Sequence, residues 1–168
     1  NKDILIATKN GSVIRFDEGQ IRPMGRTAAG VKGITLREND EVVSMEIIEP
    51  GANILHVTEN GYGKQTPESE YRRIKRGGKG VLTCRINEKT GHVVTVKAVQ
   101  GNEDLMLMTV DGVLIRIPVE EISETGRSAM GVRLIRLQGD EQVATVAKVE
   151  EDDLENETDE ENGEEIED

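Results

Sequence analysis

Ile4-Leu5-Ile6-Ala7-Thr8-Lys9-Asn10-Gly11-Ser12-Val13-Ile14-Arg15-Phe16 is an apolar run, an Asn-Gly turn and a second apolar run, and the chain writes this pattern three times. The second copy runs from Asn53 to Thr66 around Asn60-Gly61, and the third from Asp104 to Ile117 around Asp111-Gly112. The turn glycines Gly11, Gly61 and Gly112 recur at periods of 50 and 51. Ten residues after each comes a bulky side chain (Ile21, Tyr71, Ile122), fifteen after an arginine (Arg26, Arg76, Arg127), and nineteen after a glycine followed by valine (Gly30-Val31, Gly80-Val81, Gly131-Val132). A repeat period in this range marks stacked supersecondary units, so the repeat decides the fold.

Each unit predicts four short strands rich in Val, Ile, Leu and Thr, bounded by turn residues. In the first these are Ile4–Thr8, Ser12–Phe16, Val31–Leu36 and Val42–Ile48; in the second Asn53–Thr58, Tyr62–Thr66, Val81–Ile86 and Val93–Val99; in the third Asp104–Thr109, Val113–Ile117, Val132–Leu137 and Gln142–Val149. The Asn-Gly and Asp-Gly pairs predict two-residue hairpins with positive φ at both central positions. Polar turns such as Arg37–Glu41 and Asn87–Gly91 join the third and fourth strands, and no window carries a helical period. The expectation is an all-β, propeller-like array of four-stranded antiparallel blades at residues 1–51, 52–101 and 102–149, followed by an acidic tail at 150–168. Propellers close with about four to eight blades, so three read as part of a ring.

The loop between the second and third strands is long in every repeat, covering Asp17–Ala29, Pro67–Lys79 and Pro118–Met130, yet it keeps its Arg and Gly at fixed offsets. Loops of that length are functional or disordered, and fixed offsets argue for function. Gly30, Gly80 and Gly131 are expected to be structural, at a sharp turn or a close backbone approach.

The net charge of −12 is misleading, because residues 150–168 hold 13 acidic and no basic residues. Residues 1–149 therefore carry 20 acidic against 21 basic side chains. The tail predicts disorder, as either a solubilising appendage or a mobile polyanion competing for a basic surface. Arg72, Arg73, Lys75, Arg76 and Lys79 crowd the second loop around Gly77 and Gly78, and Arg22, Arg26, Lys32, Arg127 and Arg133 stand in the other loops or just after them. Such a row is the footprint of a polyanion. Only Phe16, Tyr62 and Tyr71 are aromatic, which leaves no stacking platform for single strands and points to duplex backbone, read through charge and bending.

No apolar run of about 18 residues predicts a membrane span. The chain opens Asn1-Lys2-Asp3 straight into a strand, without a leader, which reads as a cut from something longer. The single Cys84 lies in an apolar strand, as a buried thiol in a reducing compartment. His56 and His92 lack partners at zinc-ligand spacing, no phosphate-binding G-x-x-x-x-G-K-[ST] motif occurs, and Met106 and Met108 read as core filling.

The segment Ile74-Lys75-Arg76-Gly77-Gly78-Lys79-Gly80 resembles the glycine-arginine box of the C-terminal domain of bacterial DNA gyrase A, Gln-Arg-Arg-Gly-Gly-Lys/Arg-Gly, at five of seven positions. Gly25-Arg26-Thr27-Ala28-Ala29-Gly30-Val31 and Gly126-Arg127-Ser128-Ala129-Met130-Gly131-Val132 resemble diverged boxes of other blades. The resemblance implies a six-bladed β-pinwheel with strand exchange between neighbours, of which these are the last three blades, and a secondary rather than principal box at Ile74–Gly80. It implies duplex-DNA wrapping that supports ATP-dependent negative supercoiling. The implied partners are duplex DNA, the remainder of a homodimeric gyrase A, and gyrase B, in an A2B2 complex in the bacterial cytoplasm at the nucleoid. Catalytic residues, ATP and Mg would lie elsewhere in that enzyme, and none in this segment. The related topoisomerase IV domain, and a propeller that docks proteins without nucleic acid, stand as alternatives.

Overall fold

The computed structural model describes residues 2–149, so the expectation of a disordered tail falls outside the described residues. Eleven strands follow in order: β1 (Asp3–Thr8), β2 (Ser12–Asp17), β3 (Val42–Ile48), β4 (Asn53–Thr58), β5 (Tyr62–Pro67), β6 (Val81–Leu82), β7 (Val93–Val99), β8 (Asp104–Thr109), β9 (Leu114–Pro118), β10 (Val132–Arg133) and β11 (Val143–Val149). They form three antiparallel sheets, in the orders β3-β1-β2-β6, β10-β5-β4-β7 and β11-β8-β9. The described residues contain no α-helix, only three short 3-10 turns at Glu18–Gln20, Glu68–Glu70 and Val119–Glu121.

The hairpin turns differ from the two-residue expectation. Gly11, Gly61 and Gly112 have φ of 85°, 81° and 85°, but Asn10, Asn60 and Asp111 do not have positive φ. Each turn instead closes from the glycine N–H to a threonine carbonyl three residues back, Thr8, Thr58 or Thr109. The same threonine's Oγ1 accepts the N–H of Ser12, Tyr62 or Val113 at 3.1, 3.2 and 3.1 Å. The threonine hydroxyl thus takes over a ladder position, and a single left-handed glycine suffices.

The third strand of the second and third repeats leaves its own blade. Val81–Leu82 pairs with Val13 and Ser12 of the first blade, and Val132–Arg133 pairs with Gly63 and Tyr62 of the second. Each blade's outer edge is therefore supplied by the repeat that follows. The predicted strand Val31–Leu36 is not a strand, because no described blade precedes it to pair with; of the predicted Val81–Ile86 and Val132–Leu137 only the first two residues, β6 and β10, form strand pairs. The third blade correspondingly stops at three strands.

Two apolar clusters lie between the blades. One joins Leu55, Val57 and Val99 to Leu105, Leu107, Val119 and Ile122; the other joins Leu5, Ala7 and Val13 to Ile54, Tyr71, Val93 and Val96. The middle strand β4 is consequently buried on both faces from Ile54 to Thr58. The outward faces of the two end blades stay apolar and open: Met45 and Ile47 in the first are 62% and 51% exposed, and Met108 and Leu114 in the third 42% and 54%. Met108 is thus not core filling, because strand alternation turns Met106 and Met108 away from the buried Leu105 and Leu107.

Two carbonyl seats lock each blade onto the next. Arg15 Nη1 donates to Glu68 O at 2.8 Å and Tyr71 O at 3.0 Å, while its Nε donates to the buried Asp3 at 2.6 Å. Fifty residues on, Gln65 Nε2 donates to Val119 O at 2.6 Å and Ile122 O at 2.9 Å. Each seat closes the short 3-10 turn of the following repeat with donors from the previous one, satisfying carbonyls that burial would otherwise leave unpaired.

Burial also sets the titration of the core. His56 is enclosed, with Nε2 at 2.6 Å from Thr83 Oγ1, which in turn meets Tyr71 Oη at 2.5 Å. Desolvation, with the Lys64 charge second, holds the His56 pKa down at about 3. The Tyr71 hydroxyl is pushed up to about 12 by burial, and the Cys84 thiol is raised for the same reason. The unfolded imidazole takes a proton near 6.5 and the folded one near 3, so the unfolded chain binds more protons between those values. The histidine's contribution is complete above pH 6.5 and is lost as pH falls toward 3. The denaturant midpoints of the parent and of His56→Gln are expected to hold a constant gap above pH 6.5 and to converge below it. A gap that stays constant down to about pH 4 would contradict the buried neutral histidine.

A second test uses the recurring glycines. Gly30, Gly80 and Gly131 have φ of 79°, 73° and 88°. A Cβ on Gly80 would meet Val13 O at 2.2 Å, and one on Gly131 would meet Gly63 O at 2.5 Å, whereas one on Gly30 meets nothing within 4 Å. Gly30→Ala is expected to cost about 1–2 kcal/mol, the left-handed backbone penalty alone. Gly80→Ala should add about 1–3 kcal/mol of overpacking. Urea denaturation of the two variants measures the difference, and equal losses would refute the close-approach role.

Candidate nucleic-acid interface

The long loops lie along the sheet edges made by strand exchange, each on the loop of the repeat before it. In the second loop the Arg76 N–H donates to Gln20 Oε1 at 2.8 Å, its Nε to Gln20 O at 3.3 Å, and its Nη1 to Lys32 O. The Gly77 N–H donates to Gly33 O at 2.8 Å, and Thr35 donates through N to Gly78 O (2.8 Å) and through Oγ1 to Gly77 O (2.6 Å). The third loop repeats the arrangement: the Arg127 N–H donates to Glu70 Oε2 at 2.9 Å and its Nη1 to Leu82 O at 2.8 Å. Gln20 and Glu70, and Lys32 and Leu82, are each 50 residues apart, so one latch is used twice. Its first copy, Arg26, is exposed and has no partner among the described residues.

The basic residues therefore divide. Arg76 and Arg127 are half-buried and committed to neighbouring carbonyls. Arg73 is 56% exposed but sits 2.8 Å from Asp3 and 3.4 Å from Asp17, which offset its charge. Lys64, which the sequence reading counts with the basic cluster of the second repeat, is only 1% exposed. Its Nζ donates to Gly126 O at 2.9 Å and Arg127 O at 2.6 Å, and desolvation lowers its pKa to about 8. Arg22, Arg26, Lys32, Arg72, Lys75 and Lys79 are exposed, and their side chains have no partner among the described residues. Gly77, with φ of 83°, turns the backbone of the second loop, but its N–H is already used and is not offered outward. Arg133 stands on β10 and donates from Nη2 to Tyr62 Oη at 3.1 Å.

Sequence reasoning counts Arg85 with the basic cluster of the second repeat, where it is exposed, but missed Arg37, whose Nη1 donates to Lys79 O at 3.0 Å, and the exposed Lys89 and Arg136 beside the loops. Arg85 and Arg136 occupy equivalent offsets after Gly80 and Gly131, a signal present in the repeat pattern itself. The interface that results is a series of laced loops, whose backbone is consumed internally and whose free ammonium and guanidinium groups project outward. It offers positive charge at fixed positions and no aromatic ledge.

The family model described as the DNA gyrase C-terminal domain, beta-propeller, matches residues 2–49, 52–100 and 103–150. The chain belongs to this family. Among curated relatives it is 57% identical over 159 residues to the gyrase A protein of Staphylococcus aureus (strain MRSA252), a match covering 93% of this chain and 18% of that protein. The chain thus spans about a fifth of the length of the relatives it matches. Among solved structures, a DNA gyrase A C-terminal domain superposes with a TM-score of 0.82 at 28% identity, covering 88% of this chain and 50% of that one. The C-terminal domain of a DNA topoisomerase IV superposes with a TM-score of 0.85 at 26% identity, covering 96% and 52%.

The latch makes a prediction that separates two arginines of the gyrase-type box. Arg76→Ala removes hydrogen bonds to two neighbouring residues and is expected to cost about 1–2 kcal/mol, each such bond contributing about 0.5–1.5 kcal/mol net. Arg26→Ala should stay within about 0.5 kcal/mol of the parent, as for surface substitutions generally. Chemical denaturation of both variants is the measurement, and an Arg76→Ala variant as stable as Arg26→Ala would remove the latch.

Proposed function

We propose that this chain is a DNA-wrapping segment of gyrase A, binding duplex DNA along the laced loops and supporting ATP-dependent negative supercoiling by the enzyme of which it forms part. The observation that carries the reading is the row of exposed, unpartnered cations (Arg22, Arg26 and Lys32 in one loop, Arg72, Lys75 and Lys79 in the next) on loops fixed in the same register. Family membership supplies the rest of the support. A duplex backbone is a regular line of phosphates, and point charges at fixed spacing match it without reading sequence. Arg76, Arg127, Gly77 and Gly78 serve by holding the loops, Arg73 is partly offset by carboxylates, and Arg133 lies farther along the same edge.

The reading extends to a bacterial cytoplasmic enzyme built from gyrase A and gyrase B, in which the breakage chemistry, ATP and Mg belong to other parts. Gyrase is favoured over topoisomerase IV by the 57% identity to a gyrase A protein. Two open ends support a larger ring. Arg116 keeps the Arg15 position, with Nε on Asp104 at 2.6 Å, but has no 3-10 turn to close among the described residues. Gly30 has the backbone of a close approach with nothing opposite it. Both fit further blades of the same kind.

Duplex binding measured against salt tests the reading. Three phosphate contacts from Arg72, Lys75 and Lys79 correspond to about −2.7 in the slope of log K against log salt, at about −0.9 each. Changing all three to Ala is expected to flatten the slope by about that much on every sequence alike. An unchanged slope, or a loss confined to one sequence, would overturn it.

A further inference from the structure

Beyond the glycine-arginine loops, the second blade carries a cleft of about 520 Å³ lined by Tyr62, Lys89, Arg133, Leu134, Ile135 and Arg136. Three of its six lining residues are cations, and none is a carboxylate. Lys89 Nζ and the Arg133 guanidinium each stand 5.6 Å from the centre of the Tyr62 ring. Arg133 Nη2 donates to Tyr62 Oη at 3.1 Å, a bond that does not use the phenolic proton. The Lys89 turn is itself held: Asn60 Nδ2 donates to Glu88 O at 3.1 Å and Lys89 O at 3.2 Å, and Asn87 Oδ1 accepts the N–H of Lys89 at 2.9 Å. A smaller adjoining cleft shares Tyr62, Lys89 and Arg133 and is also lined by Glu141, whose carboxylate accepts Thr109 Oγ1 at 2.7 Å. Within the larger cleft the cations have no carboxylate among the lining residues, and the phenol's pKa is lowered, first by the Arg133 hydrogen bond.

The cluster belongs to the second blade alone. At the same offsets the first blade has Ser12 for Tyr62, Asn39 for Lys89 and Leu82 for Arg133, keeping only Arg85 for Arg136; the third has Val113 and Asp140 in the first two places. A cation excess repeated on every blade would be general surface charge, whereas one built once around a pinned turn and a tyrosine is a site.

We propose that Tyr62, Lys89, Arg133 and Arg136 form a phosphate seat on the second blade, distinct from the box loops. Arg133 presents a planar fork to two phosphate oxygens, Lys89 adds a point charge, and the Tyr62 hydroxyl donates the third contact. The phosphate is either a diester of the duplex tracking the same edge, which rests on the proposed wrapping role, or a group on a small free phosphate ligand.

The test uses the 168-residue chain, with Lys89→Gln/Arg133→Gln and Tyr62→Phe as variants; Lys89 lies on an exposed turn and Tyr62→Phe keeps the ring. Matching melting temperatures establish that folding is intact. If the seat takes duplex phosphate, the double variant flattens the salt slope by about 1.8, two contacts at about −0.9 each, and adds to the loss from Arg72, Lys75 and Lys79. If it takes a free ligand, pyrophosphate shifts the Tyr62 ring resonances saturably in the parent, the shift is lost in the double variant and weakened in Tyr62→Phe, and the duplex slope does not change. Normal duplex binding by both variants, with no pyrophosphate shift in the parent, overturns the seat and leaves the wrapping role standing. Absence of duplex binding by the parent overturns the wrapping role, and pyrophosphate then decides the seat by itself.

Discussion

A blade in this protein cannot finish itself. Its fourth edge is a strand of only two residues that arrives from the next repeat, and everything else in the structure follows from making so short a pairing hold. Two residues give few ladder hydrogen bonds, each adding about 0.5–1.5 kcal/mol net. The pairing is therefore backed on both sides. Upstream of it, Arg15 or Gln65 closes the incoming 3-10 turn, and at its glycine the chain passes so near the preceding strand that a Cβ has no room. The apolar clusters then fill between blades rather than within them, which is why β4, with a neighbour on each side, is the most completely buried strand.

The same requirement sorts the basic residues. An arginine at the box position reaches back to a carbonyl of the previous loop, and its charge is spent on holding that loop in place. Lys75 just before it and Lys79 three residues after it have nothing to bind among the described residues, whereas Arg73 is held by Asp3 and Asp17. A single short sequence such as Lys75-Arg76-Gly77-Gly78-Lys79 thus combines a clamp with outward charges, and its composition alone does not say which is which. The surrounding glycines work in the same way: Gly77 uses its N–H internally, and Gly80 makes room for Val13 O.

Much of this was legible in the sequence because the repeat is strict where the backbone is constrained. Val42–Ile48, Asn53–Thr58, Val93–Val99 and Asp104–Thr109 have the same bounds in the structure as in the sequence pattern, since alternating β-branched residues between turns leave little latitude. The left-handed glycines were marked by their offsets. What periodicity does not carry is the sheet to which a strand belongs: Val81 looks like part of its own repeat and pairs with Val13 instead. Nor could it show that Val31–Leu36 lacks a strand to pair with, that Lys64 is buried under the third loop, or that Arg76 is latched, because each depends on a contact about 40 to 70 residues away. The turn threonines, by contrast, stand at one offset in all three repeats and were readable as a capping hydroxyl.

The latches bear on the proposed wrapping role through stiffness. A duplex resists curvature, and bending about 20–30 base pairs by about 40–90° costs about 1–6 kcal/mol. Flexible cations would follow a straight duplex and leave it straight, gaining the same counterion release without deforming it. Loops tied to one another at constant offsets cannot follow it in this way. In the proposed wrapping role the duplex would have to come to the charges and bend to meet them. The arginines that bind carbonyls would thus matter to wrapping as much as the lysines that face outward. Their effect would appear in how sharply the DNA turns, and less in how steeply binding falls with salt.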